Sequence, residues 1–183
     1  MEDPLRFCAV NLEYAFIALL AVLFLVTGKW RSLNGRRGVV AAGFAALLAL
    51  GIAHVIADIW ARPRPYLAHP GTHLFIAPSG DPSFPSDHAT GAFAIAVSLL
   101  LRMRKVGLAA LVLAVVIAFS RVAVGVHYPS DVLGGALIGT AAALLVWTPP
   151  IRTWVDRLAD ELGALYDRIL GRVIRTPAGA VES

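Results

Sequence analysis

Three short segments hold most of the side chains able to do chemistry in this 183-residue chain: R-P-R-P at 62–65, P-S-D-H at 85–88 and S-R-V-A-V-G-V-H-Y-P-S-D at 120–131. Arg64 and Arg121 carry planar, permanently charged forks that match phosphate oxygens, while Arg62 also suits a helix anchor. Ser86 precedes an apolar run, where its type suits a helix N-cap. The start of that helix also offers backbone N–H groups and the positive end of a dipole to an anion. His88 and His127 supply a nucleophile and a proton donor, and Asp131, four residues after His127, can hold one imidazole in a single tautomer. Charge clamp, nucleophile, proton donor and orienting carboxylate are the parts of a phosphoryl-transfer site that uses no metal. Taken singly, each residue has a plainer account: an arginine anchoring a helix end, a serine cap, a structural histidine. It is their convergence on one level of the molecule that calls for a site.

That level follows from the elements that must position them. The chain is 58% hydrophobic and only 15% charged, with a mean hydropathy of +0.73, whereas a soluble domain carries about a quarter charged residues. So much apolar surface belongs in a bilayer. A helix needs roughly 20 apolar residues to cross one, and five runs meet or approach that length: 11–28, 38–60, 87–101, 106–124 and 131–148. The expected fold is an all-α, polytopic transmembrane bundle over residues 1–150. Residues 151–183 are expected to form an amphipathic interfacial helix and a short tail, since Ile151, Trp154, Val155, Leu158, Leu162, Leu165, Ile169 and Val173 recur at three- and four-residue steps. A helix packed against a partner subunit is the alternative reading of that stripe. Gly135 and Gly139, four apart, permit close helix contact in the fifth run.

Charge orients the bundle. Twelve of the sixteen Lys and Arg residues fall in 29–37, in 102–105 and beyond 151, three segments that five spans place on one side. Basic residues stay cytoplasmic, so the segments bearing the three motifs are expected to face outward. The basic pI of about 9.7 is then a matter of topology, and no nucleic-acid partner is expected. Cys8 is the single cysteine, which excludes an internal disulfide and a cysteine-based metal site. The first apolar run follows Glu2 and Asp3 rather than a basic stretch, unlike a cleavable signal. His69 and His73 are too few to hold a metal, and no cofactor is expected. His54 and Asp58, four apart near the outer end of the second run, suit a mutual hydrogen bond. Tyr66, Phe75, Pro78 and Gly80 suit either a flap over the site or an ordered loop. The residues leave the oligomeric state open.

These motifs resemble those of the membrane-bound type-2 phosphatidic acid phosphatase superfamily: Lys-x6-Arg-Pro, then Pro-Ser-Gly-His, then Ser-Arg-x5-His-x3-Asp. The third matches in full at Ser120, Arg121, His127 and Asp131. The second matches at Pro85, Ser86 and His88, with Asp87 in the Gly position. The first matches at Arg64 and Pro65, while the Lys position falls on Ala57. R-P-R-P followed by F-P-S-D-H is similar to the bacterial undecaprenyl diphosphate phosphatase branch. The resemblance spans roughly residues 50–140. It implies His127 as nucleophile, Asp131 as its orienting partner and His88 as the acid that protonates the leaving oxygen. Arg64, Arg121, Ser86, Ser120 and the backbone at Asp87 and His88 are implied as the phosphate cradle, with Arg62 the candidate to replace the absent Lys. It further implies a polyprenyl diphosphate substrate on the outer membrane face, recycling of the cell-wall carrier lipid, and bacitracin resistance as a consequence. A glycerolipid or other polyprenyl-linked phosphate is the neighbouring alternative. A non-catalytic protein that binds or transports anionic lipid is the alternative from another class.

Overall fold

The computed structural model describes residues 18–23, 33–69, 71, 74 and 77–173. Most of the first apolar run, 11–28, lies outside the described residues; within it, 18–23 is helical and Leu19, Leu20 and Leu23 pack on the core. The remaining elements are α1 (Leu33–Ile59), the short α2 (Pro65–Ala68), α3 (Asp87–Arg102), α4 (Arg104–Ala123), α5 (Pro129–Val146) and α6 (Pro149–Val173). No strand occurs among the described residues. Among the described residues, three helices are long and apolar enough to cross a membrane: Asn34–Ile59, Arg104–Ala123 and Pro129–Val146. The all-α, polytopic expectation holds.

The packing is inverted relative to a water-soluble bundle. Small residues face inward: Ala42, Ala45, Ala49 and Ala53 of α1 and Ala110 and Ala114 of α4 are buried. Large aliphatic and aromatic residues face outward, among them Leu47 and Val55 of α1, Val112 and Phe119 of α4, and Leu133 and Leu137 of α5. Lipid solvates those side chains as well as a protein core does, so association rests on close backbone approach between small residues. Gly139 of α5 marks a close approach to α3. A Cβ there would stand 2.3 Å from the Thr90 carbonyl oxygen and 2.8 Å from the Ala94 nitrogen.

α3 is the central helix, in contact with α1, α4 and α5. Its 16 residues span only about 24 Å at 1.5 Å per residue, shorter than the hydrocarbon core. It is short because it starts inside the bundle end, where the segment before it folds inward. Ser83 and Ser86 are fully buried. Irregular backbone survives at that depth because protein groups satisfy it: the Ser83 N–H donates to the Arg62 carbonyl (2.8 Å) and the Ser86 N–H to the Asp131 carbonyl (3.1 Å). Only Met103 separates α3 from α4. Gly107 accommodates that sharp reversal, since a Cβ there would lie 2.2 Å from the Leu100 Cα.

The opposite end carries the basic residues. α1 begins at Leu33 rather than near residue 38, so Arg36 and Arg37 belong to its first turns instead of a loop. Arg36 makes a two-pronged contact with Asp167 of α6 (2.8 and 3.0 Å), and Arg37 makes another with Asp160 (2.6 and 2.9 Å). Arg102, at the end of α3, pairs with Asp156. The Arg37 hydrogen bond holds the Asp160 carboxyl below the usual carboxylate range. Thus α6 docks across the bundle end through three Arg–Asp pairs. Val155 and Ala159 are fully buried, while Trp154, Leu162, Leu165 and Ile169 remain exposed.

Candidate active site

The end opposite α6 gathers the three motif segments around a pocket of about 200 Å³. Arg64 reaches it from the turn before α2, Asp87 and His88 from the first turn of α3, Arg121 from the last turn of α4, and His127 from the α4–α5 connection. Ser79, Asp81 and Pro82, from the segment before α3, complete one wall. Residues as far apart in the chain as Arg64 and His127 therefore line one cavity, as the motif spacing anticipated.

Each side chain is set by a local cause. Gly125 carries a positive φ of 81°, a left-handed conformation open to glycine. There the chain leaves α4 and turns back, and the Val126 and His127 N–H groups both donate to the Arg121 carbonyl (3.3 Å each). His127 is thereby buried against the loop before α3. Its Nδ1 lies 2.7 Å from the Ser83 carbonyl oxygen. A carbonyl only accepts, so Nδ1 carries the proton and Nε2 presents its lone pair. Arg64 Nη1 stands 3.5 Å from that Nε2. Arg64 is itself held by the Asp81 carbonyl (2.9 Å to Nε) and the Val126 carbonyl (3.4 Å to Nη1).

Asp131, fully buried in the first turn of α5, is not hydrogen-bonded to His127: Oδ2 is 3.6 Å from Nδ1. Its oxygens are occupied elsewhere. Oδ2 accepts from the Ser83 hydroxyl (2.5 Å) and from the Tyr128 N–H (2.9 Å), the latter capping α5. Oδ1 accepts from Arg62 Nη1 (2.7 Å). The same Nη1 donates to Ser130 Oγ (2.8 Å), and the guanidinium lies 4.0 Å from the centre of the Tyr128 ring.

Ser86 occupies the N-cap position of α3, yet its hydroxyl makes no capping bond. Its Oγ is buried and has no hydrogen-bond partner among the described residues. A buried hydroxyl without a partner is costly, so the cap reading does not account for this serine. The first intrahelical bond is Thr90 N–H to Ser86 O, which leaves the Asp87, His88 and Ala89 amides at the positive end of the helix.

Three of the expected phosphate contacts, Ser86, Ser120 and Arg62, are not among the residues that line the pocket. Ser120 is buried and donates to the Ile117 carbonyl (2.7 Å), and Arg62 is committed to Asp131. His54 Nε2 and Asp58 Oδ2 are 4.0 Å apart with both side chains exposed, too far for the hydrogen bond their spacing suggested. Tyr66, in α2, is tied to the segment before α3: its hydroxyl donates to the Ser79 carbonyl (2.6 Å) and accepts the Ser79 N–H (2.9 Å). Phe75 and His73 lie outside the described residues. Sequence reasoning missed Ser83 and Asp81. Ser83 acts through a backbone carbonyl and a second-row hydroxyl, for which residue type gives no signal.

Comparison with known proteins bears on the same segments. The PAP2 superfamily model matches residues 38–153. The chain is 34% identical over 167 residues to undecaprenyl-diphosphatase BcrC of Bacillus subtilis, covering 90% of this chain and 83% of that protein. It is 31% identical over 175 residues to the bacitracin transport permease protein BcrC of Bacillus licheniformis, covering 95% and 83%. Among solved structures, the crystal structure of Aquifex aeolicus LpxE is similar, with a TM-score of 0.63 and 25% identity over 77% of this chain and 79% of that one. A helical bundle with three membrane-length helices among the described residues, the motif residues gathered at one end, and a family match over most of the bundle lead to one conclusion: the chain is a multi-pass membrane protein of the PAP2 superfamily.

Proposed function

We propose that this protein is a membrane phosphatase that removes the terminal phosphate of undecaprenyl diphosphate, or a related polyprenyl diphosphate, through a phosphohistidine intermediate. The observation that carries the reading is the pocket in which His127 Nε2 and His88 meet two buried arginines at the end of an apolar bundle. The 34% identity to a named undecaprenyl-diphosphatase over nine-tenths of the chain supports the substrate. The concentration of basic residues at the far end supports an outward-facing site and a cytoplasmic α6. With its exposed Trp154, Leu162, Leu165 and Ile169, α6 is read as lying along the inner membrane surface while anchored to the bundle.

In the proposed mechanism, Nε2 of His127 attacks the terminal phosphorus in line, with its ring held by the Nδ1–H bond to Ser83. As the bond to the bridging oxygen breaks, charge grows on the equatorial oxygens. Arg64, Arg121, the Ser86 hydroxyl and the amides at the start of α3 receive that charge. His88 donates a proton to the bridging oxygen, and the lipid monophosphate leaves. The imidazolium formed at His127 is stabilised by the nearby Asp131 carboxylate. His88, now neutral, takes a proton from water as it attacks the phosphohistidine, releasing phosphate and restoring both histidines.

His88→Asn is expected to lower kcat on the lipid diphosphate by about 10²–10³-fold, the usual scale of general acid–base catalysis. An aryl phosphate, whose leaving group needs no proton, should lose much less in its bond-breaking step. Equal losses on both substrates in single-turnover measurements would remove His88 from the acid role.

The substrate assignment is tested by phosphate release from undecaprenyl diphosphate beside phosphatidic acid and phosphatidylglycerophosphate, with and without EDTA. Turnover is expected for the polyprenyl diphosphate and is expected to resist EDTA. Preference for a glycerolipid would overturn the substrate. Tight lipid binding with no phosphate release would favour a lipid-transport or lipid-binding role instead.

A further inference from the structure

The contacts around Asp131 do not match a carboxylate whose task is to grip the nucleophile directly. In that case its nearer oxygen would be within hydrogen-bond reach of His127 Nδ1. It is 3.6 Å away, whereas the Ser83 carbonyl oxygen is at 2.7 Å. What the carboxylate does bind is the hydroxyl of that same Ser83, at 2.5 Å. On its other oxygen it binds Arg62, at 2.7 Å.

We infer that Arg62, Asp131 and Ser83 form a positioning relay in series, in which the carboxylate fixes Ser83 and the Ser83 carbonyl fixes the His127 ring. This rests on the reading of His127 as the nucleophile. Arg62 and Ser83 are thus positioning residues, and neither touches substrate. The chemistry of each link fits its place. Asp131 and Ser83 are fully buried and Arg62 is partly so, so the carboxylate needs a positive partner to remain ionised at that depth. Arg62 supplies it with a single N–H, while the face of Tyr128 holds the guanidinium in place. An ionised Asp131 accepts from both the Ser83 hydroxyl and the Tyr128 amide, tying the loop before α3 to the first turn of α5. The carbonyl of Ser83 then points its lone pair at Nδ1, leaving the Nε2 lone pair facing Arg64 on the pocket side. The relay also explains why Arg62 sits on a carboxylate, although the motif pattern made it the candidate for the absent lysine.

The test is steady-state kinetics of the full-length protein on undecaprenyl diphosphate for wild type, Ser83→Ala, Arg62→Ala, Arg62→Lys and the Ser83→Ala/Arg62→Ala double variant, with folding followed by circular dichroism. Ser83→Ala keeps the backbone carbonyl and removes only the hydroxyl. Each single alanine variant is expected to lower kcat about tenfold, with KM within about twofold of wild type. Arg62→Lys, which retains one donor for Oδ1, is expected to recover most of the loss. Because the links act in series, the double variant should resemble the worse single variant instead of multiplying the two losses. Three results overturn the inference: an Arg62→Ala variant with raised KM and unchanged kcat, which would put the guanidinium on substrate phosphate; a Ser83→Ala variant with wild-type kcat; or a multiplicative double variant. Should Arg62→Ala fail to fold, Ser83→Ala and Arg62→Lys decide alone. A wild-type protein that releases no phosphate from any lipid would instead overturn the phosphatase reading itself.

Discussion

Replacing His127 with alanine is expected to lower phosphate release by about 10⁴-fold or more, the scale seen when a covalent nucleophile is removed. His127 offers the lone pair of Nε2 on a ring held in place through Nδ1. The tautomer is dictated by the Ser83 carbonyl, 2.7 Å from Nδ1, and that hydrogen bond is the chief interaction the substitution removes. Its net worth is about 1 kcal/mol, so the bundle should remain folded and the variant should keep its thermal transition within a few degrees. Phosphate release and thermal unfolding measured on the same preparation check both halves. A folded His127→Ala variant retaining more than about a tenth of wild-type activity would remove the covalent mechanism.

The second large effect is structural. Gly139→Val is expected to destroy the fold, because the new side chain would begin 2.3 Å from the Thr90 carbonyl oxygen and 2.8 Å from the Ala94 nitrogen. Both are backbone atoms of the central helix, and neither can yield without parting α3 from α5. Parting them would also shift Ser86, whose amide bonds to the Asp131 carbonyl across the same seam. Overpacking of this kind costs several kcal/mol, comparable to the whole stability of a domain. The measured outcome should be loss of monodisperse protein after extraction and loss of cooperative unfolding. Gly43→Ala is the control. Nothing lies within 4 Å of a Cβ at that position, so this variant should fold normally and stay active. A stable, active Gly139→Val variant would mean that α3 and α5 do not approach as described.

Much of this was legible in the residues because it depended on side-chain type. The apolar runs 38–60, 87–101, 106–124 and 131–148 correspond to α1, α3, α4 and α5, and the sorting of basic residues to one side anticipated the common end at which Arg64, His88, Arg121 and His127 meet. Gly135 and Gly139 were visible as a small-residue pair, although the same spacing is common in helices that pack loosely. What remained hidden depended on geometry. Ser120 sits inside the motif, yet its hydroxyl is spent on the Ile117 carbonyl one helical turn back. Ser83 works largely through its main chain. The guanidinium of Arg62 suits either a carboxylate or a phosphate, and only the fold brings Asp131 within 2.7 Å. The amphipathic stripe of α6 was plain, but its docking was not: Asp156, Asp160 and Asp167 have the look of a solvated face until Arg102, Arg37 and Arg36 come opposite them.

A covalent phosphohistidine at one named residue is the central claim. Its most direct test is rapid quenching of the wild-type enzyme with undecaprenyl diphosphate labelled in the terminal phosphate, followed by mapping of the protein-bound label. The prediction is an acid-labile, base-stable phosphoryl group on His127 that appears before free phosphate, decays as phosphate is released, and is absent from His127→Ala. Phosphate released at the full rate while His127 stays unlabelled, or label accumulating on a different residue, would contradict it.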